Sequence, residues 1–130
     1  MQELFSIHVI LTQTHTVQSP KGQVSMVLFE GSCDCDFFHG RILPGGVDTQ
    51  RDGTLSARYM LEGVDDAGNP TRIFIENNGA WNADGSCTTH PMICTDNPRL
   101  AWLEEANLTG GITGHETGVD IHFYHQLKDD

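Results

Sequence analysis

The chain has 130 residues, 38% of them hydrophobic and 19% charged, which suits one compact soluble domain, 1–130, and argues against disorder. Seven Lys and Arg against 18 Asp and Glu give a net charge of −11, a sign that repels phosphate backbones and anionic lipid, so neither nucleic acid nor a membrane surface is an expected partner. No apolar run approaches the ~18 residues of a membrane span.

The first residues, Met1-Gln2-Glu3, carry no Lys or Arg, and the apolar stretch that follows alternates and includes His8. That pattern is unlike a secretory signal, so the chain is expected to be cytoplasmic and Cys33, Cys35, Cys87 and Cys94 to be reduced thiols. Cys33 and Cys35 are two apart, a poor geometry for a disulfide if extended. Cys87 and Cys94 flank a stretch read as a loop and would pair only in an oxidising compartment.

Phe5, Ile7, Val9 and Leu11 alternate with Ser6, His8, Ile10 and Thr12, the period of two that marks a strand. In the next run Val24, Met26 and Leu28 share one face and Val27 and Phe29 the other. Leu55, Ala57, Tyr59 and Leu61 alternate with Ser56, Arg58, Met60 and Glu62. Ile73 and Ile75 repeat the pattern, as do Val119, Ile121 and Phe123 near the end. Turn formers separate these runs: Ser-Pro-Lys-Gly at 19–22, Pro-Gly-Gly at 44–46, Asp-Gly at 52–53, the stretch 65–70, Asn-Gly at 78–79 and Asp-Gly at 84–85. The stretch 82–97 reads as the longest irregular segment, of the kind that forms lids or mouths. One helical turn is expected near 98–105, with Pro98 in its first turn and Asp96 or Asn97 as cap. Seven to nine short strands at ~10-residue spacing predict an all-β fold. A closed antiparallel barrel is preferred over a sandwich because it removes exposed edges.

The segment from His39 to Gln50, HGRILPGGVDTQ, places a sharp Pro-Gly-Gly feature just before Asp48 and Gln50, which then share one face of an extended strand. It continues through Asp52-Gly53 to Ala57-Arg58-Tyr59, then IFIENNG at 73–79 and PRLAWLEEANLTGG at 98–111. This order of motifs resembles the DUF3237 family, also called UPF0311, over about residues 4–126. The resemblance implies a small antiparallel β-barrel of lipocalin-like shape and carries no assigned activity. Two features depart from the family pattern: Thr49 stands where many members have Trp, and Cys33 and Cys35 are unusual.

Arg58 would need an acidic or carbonyl partner if its face pointed inward, and Asp48 is the nearest candidate. It would then either close the barrel or anchor a ligand. Asn77 is read as a turn residue or a pocket donor. Asp120, His122 and Tyr124 share one strand face and would suffice for proton transfer if that face lined a cavity; alternating polar residues more often mark a solvated exterior. Neither pair of cysteines has zinc-ligand spacing, and His39, His90 and His115 come from separate turns, so no metal and no cofactor is expected. Cys35 as a thiolate nucleophile lacks a supporting motif. Trp81, Trp102, Phe37 and Phe38 line an apolar cavity or form plain core.

The leading expectation is a barrel that binds a small polar or carboxylated organic molecule, with Asp48, Gln50, Arg58 and Asn77 as the binding set. The alternative is a proton-transfer enzyme (isomerase, lyase or hydrolase) using Asp48, His122 and Tyr124. A third reading is a homo-oligomeric assembly protein with a filled barrel.

Overall fold

Nine antiparallel strands make up most of residues 2–125, which are the residues that the computed structural model describes. They are β1 (Gln2–Ser19), β2 (Gly22–Asp34), β3 (Phe38–Ile42), β4 (Val47–Arg51), β5 (Thr54–Asp65), β6 (Pro70–Trp81), β7 (Cys87–Thr95), β8 (Leu108–His115) and β9 (Gly118–His125). Each pairs with its neighbour, and β1 pairs with both β2 and β9, so the sheet closes into a barrel. Among the described residues no helix is long and apolar enough to cross a membrane.

Nine strands occupy eight places around the ring. Both β3 and β4 lie between β2 and β5 and run in the same direction, β3 against Ser32–Asp34 and β4 against Val24–Leu28. The Pro-Gly-Gly segment is therefore not a reversal. It is a bulge in which 43–46 loop out of a continuing strand, with Gly45 at φ 109° where a side chain would be strained. Reversals occur instead at Pro20-Lys21 and at Asp52-Gly53, whose φ values of 49° and 81° give the left-handed turn a tight hairpin prefers.

Two further expectations are corrected. Asn78-Gly79 lies inside β6, because Gly79 faces Thr89 of β7 where a Cβ would collide with backbone. Most of the stretch read as irregular, 82–97, is β7. Its Pro91 breaks the apparent pattern, yet it falls where β7 has no β8 partner, since those two strands pair only at Thr88 and Thr89.

The helical expectation holds as a 3-10 turn at Pro98–Leu100 and a short α1 (Trp102–Glu105), with the Asn97 side chain accepting from Arg99 N. This segment plugs the base of the barrel. Leu100 and Leu103 are buried there. Phe5 stacks on Phe123 at 4.6 Å, and Phe37 bridges Phe5 and Trp102 edge to face at 5.5 and 5.3 Å.

One buried carboxylate ties this end together. Asp65 accepts from Ala67 N at 2.9 Å, Asn69 N at 2.8 Å, Asn69 Nδ2 at 2.9 Å and Asn97 Nδ2 at 3.0 Å, with Arg99 Nε at 3.2 Å. Asn97 Nδ2 also donates to Thr71 Oγ1 at 2.7 Å. The β5–β6 turn, the start of β6 and the 3-10 turn are thus locked to one residue.

Candidate functional site

Side-chain size along the barrel axis decides where space remains. Towards the base, Phe38, Tyr59, Leu61, Ile73, Ile75 and Phe123 fill the interior. Towards the other end the inward positions carry Ala57 together with the polar Asp48, Gln50 and Asn77, while Gly79 and Gly110 make room for Thr89. Small residues leave a void that large ones would occupy. A cavity of about 100 Å³ opens at this mouth, lined by Asp48, Gln50 and Asn77 against Phe29, Ala57 and Ile121. Leu11 and Trp81 stand at its rim, each nearly half exposed.

Strand register sets the polar geometry. Asp48 pairs with Ala57, and Ala57 pairs with Asn77. The three form one row across β4, β5 and β6, with the smallest side chain in the centre. A carboxylate and an amide thus flank a gap two strand spacings wide, roughly 9–10 Å between backbones. Gln50 Nε2 donates to Asp48 Oδ2 at 2.9 Å. Asp48 Oδ1 and Asn77 Oδ1 are both buried with no partner among the described residues, and so are Thr89 Oγ1 and Tyr59 OH. Thr89 sits under Gly110, where a Cβ would run into its hydroxyl.

Burial pushes the Asp48 carboxyl above its usual range, against the opposing pull of Gln50. Cys87 also faces inward; burial, with the charge of Asp48 adding, raises its thiol. Tyr59 is raised further by burial and remains a phenol.

The binding set expected from sequence is brought together in part. Asp48, Gln50 and Asn77 converge on the cavity, and Asn77 is a strand residue 1% exposed, not a turn. Arg58 does not join them, which corrects the expectation of an interior anchor or an Asp48–Arg58 pair. It is exposed on the outer face opposite Val47 and Glu76, because its neighbours Ala57 and Tyr59 take the inward positions.

His122 and Tyr124 also stand outside, since Ile121 and Phe123 face the core. His122 Nδ1 meets Glu3 Oε1 at 2.5 Å and its Nε2 meets Thr113 Oγ1 at 2.8 Å. The cavity therefore holds Asp48 of the expected proton-transfer residues, and His122 and Tyr124 lie apart from it on the outer face. Of the four aromatics weighed for the cavity, only Trp81 lines it. Cys87 and Cys94 lie on opposite faces of β7, one buried and one exposed, and all four thiols are free.

One group of potential metal donors exists among the described residues: His8, His115 and Asp120 on the outer face. His8 Nδ1 lies 2.8 Å from Asp120 Oδ1. The two imidazoles stack at 4.5 Å with planes 14° apart, so their in-plane lone pairs run parallel and do not converge on one ion. His115 Nε2 is also engaged by Val9 O at 2.9 Å. A broader, open surface depression of about 830 Å³ lies beside the Pro-Gly-Gly bulge, where His8, Thr12, Glu30, Ser32 and Arg41 line it with apolar residues and four glycines.

Sequence reasoning missed Thr89 and the mouth-facing role of Ala57. The only available signal was parity: each is on the inward register of its strand.

The comparisons match this architecture. A protein of unknown function from Clostridium acetobutylicum ATCC 824 is 26% identical, with a TM-score of 0.80 over 97% of this chain and 98% of its own. A conserved protein of unknown function from Rhodopseudomonas palustris aligns at 18% identity, with a TM-score of 0.76 over 97% of this chain and 96% of its own. A beta-barrel like protein from Acinetobacter baumannii AYE aligns at 16% identity and a TM-score of 0.70, covering 95% and 93%. No protein-family model matches the chain, and no curated protein does. The chain is a β-barrel.

Proposed function

We propose that this barrel binds a small molecule whose hydrogen-bond-donating head enters the mouth and whose apolar body rests on Leu11 and Trp81. The observation that carries the reading is the pair of buried oxygens without a protein partner among the described residues, Asp48 Oδ1 and Asn77 Oδ1, facing one cavity across Ala57. A buried acceptor without a donor is unfavourable by about 1–3 kcal/mol, so a donor from a ligand recovers that energy. The DUF3237 resemblance adds no activity to this reading.

The head is neutral or cationic rather than carboxylated. The lining holds a carboxyl group and no Lys, Arg or His, and the cation once expected there, Arg58, lies outside. Asp48 is the single titratable residue in that lining, so proton-transfer chemistry would have a base with no acid beside it.

The test uses propylamine and propan-1-ol against propionate, followed by thermal shift. Four non-hydrogen atoms supply at most about 6 kcal/mol, a Kd no tighter than roughly 40 μM, so millimolar probe is needed. The amine or the alcohol should raise the melting temperature with the logarithm of its concentration, and propionate should not. Asp48→Leu and Asn77→Leu should each remove the shift, and Arg58→Ala should keep it. Equal stabilisation by propionate, or no shift from any probe, overturns the proposal.

A further inference from the structure

We infer that the free edge of β1 from Thr12 to Ser19 pairs with the same edge of a second copy of this chain. The inference is independent of what the cavity holds.

β1 is much longer than the strand that closes the barrel against it. It pairs with β9 only over Gln2–Ile10, and the last backbone contact on that side is Leu11 N donating to Thr117 O at 3.1 Å. β2 follows β1 to its end, from Gln13↔Leu28 to Ser19↔Gly22, and β4 backs β2 as far as Val24↔Arg51. The result is a hairpin arm supported on one side. On its other side, residues 12–19 have no strand beside them among the described residues. Residues 11–20 are exposed on both faces.

An edge of eight residues is about 27 Å of unpaired backbone donors and acceptors. Proteins that remain single copies guard such edges with lysine, proline, inward charges or bulges. This edge reads Thr-Gln-Thr-His-Thr-Val-Gln-Ser, with no proline and no Asp, Glu, Lys or Arg; its register break against β2 falls at its root, at Thr12, and leaves 13–19 in regular pairing. Thr12, Thr14, Thr16 and Val17 favour the extended state.

Charge identifies the occupant. The chain has 18 acidic residues, and the arm from 12 to 28 holds none of them and a single Lys21. Two copies at −11 each repel over most of their surfaces, and this arm is where they can approach without opposing carboxylates. A basic partner would be drawn elsewhere, to the acids. Antiparallel pairing of an edge with itself has two-fold symmetry, so one strand supplies both halves of the interface. The outer face of the arm also presents Val17 and Met26, 61% and 46% exposed, which the partner's arm would cover.

The experiment is sedimentation equilibrium of the full chain over a concentration series, with hydrogen exchange of the amides of 12–19. The wild type should show a doubling of mass as concentration rises, with slowed exchange on the free edge that tracks the dimer fraction. The double variant His15→Lys, Val17→Lys puts like charges on facing arms. It should be monomeric and exchange fast on this edge. Both positions are exposed, so its melting temperature at low concentration should match the wild type. The variant also lowers the net charge from −11 to −9, so a lost dimer cannot be put down to greater overall repulsion. A wild type that stays monomeric throughout, or a dimer that survives in the variant with the edge still exchanging fast, overturns the inference.

Discussion

Replacing Ala57 with leucine tests the cavity directly. Ala57 lies between Asp48 and Asn77 with its Cβ towards the mouth, and about 100 Å³ of space lies above it. Three added carbons at ~0.8 kcal/mol each contribute about 2.4 kcal/mol if they bury into that space. Ordering the leucine side chain takes back about 0.5–1 kcal/mol. The balance of about 1.5 kcal/mol corresponds to a rise in melting temperature of roughly 5 °C for a domain of this size. If the interior were already packed, the same change would be destabilising by about 1–3 kcal/mol through overpacking. Differential scanning calorimetry therefore distinguishes the two by sign. The stabilised variant should also lose the thermal shift from propylamine or propan-1-ol, because its side chain fills the space between the two acceptors. A lower melting temperature, or an undiminished ligand shift, would refute the reasoning.

Three further outcomes are expected. Asn97→Ala removes the side-chain donor to Asp65 and Thr71 and the cap on Arg99 N, a loss of about 2–4 kcal/mol in urea denaturation. The side chains of Asn69 and Asn97 hold the Asp65 carboxyl well below its usual range; its folded value is depressed, so its stabilisation is present above the unfolded value near ~3.9 and disappears as pH falls through the folded one. Asp65→Asn should be less stable at neutral pH and show a flatter acid limb in melting temperature against pH. Cys35 is brought down to about 7, chiefly by a hydrogen bond from the Cys33 thiol, while Cys33 itself is raised; iodoacetamide at pH 7.5, read by peptide mass spectrometry, should label Cys35 well ahead of Cys33 and Cys87.

Much of the barrel is legible in residue order because each strand buries one face. The alternation of Phe5 to Leu11, and of Leu55 to Leu61, is the inward register itself, and Asp52-Gly53 announces its hairpin. The same parity puts Asp48 and Gln50 together, and it also puts Arg58 outside, between an inward alanine and an inward tyrosine. A guanidinium's chemistry attracts attention without saying which way the strand turns it. Asn78-Gly79 has the composition of a turn, but the glycine is there because Thr89 packs against it, a requirement set by a strand ten residues away. β7 is obscured by Pro91, which is tolerated only because β8 is absent beside it. The cavity is the least legible feature. It arises where Ala57 falls between Asp48 and Asn77 in three dimensions, and nothing local to any one of them marks it.

The pairing of β1 with β9 has a consequence for how the molecule is made. His8 meets Asp120 across 112 positions of chain, so during synthesis β1 waits for a partner strand made more than a hundred residues after it. Until then Phe5, Ile7 and Val9 lie on a ribbon whose second neighbour does not yet exist, and ring closure follows the slow kinetics of non-local contacts. For that interval the nascent chain exposes on one flank the apolar face that the finished molecule hides, and that flank is where a chaperone that recognises extended apolar segments would be expected to engage it.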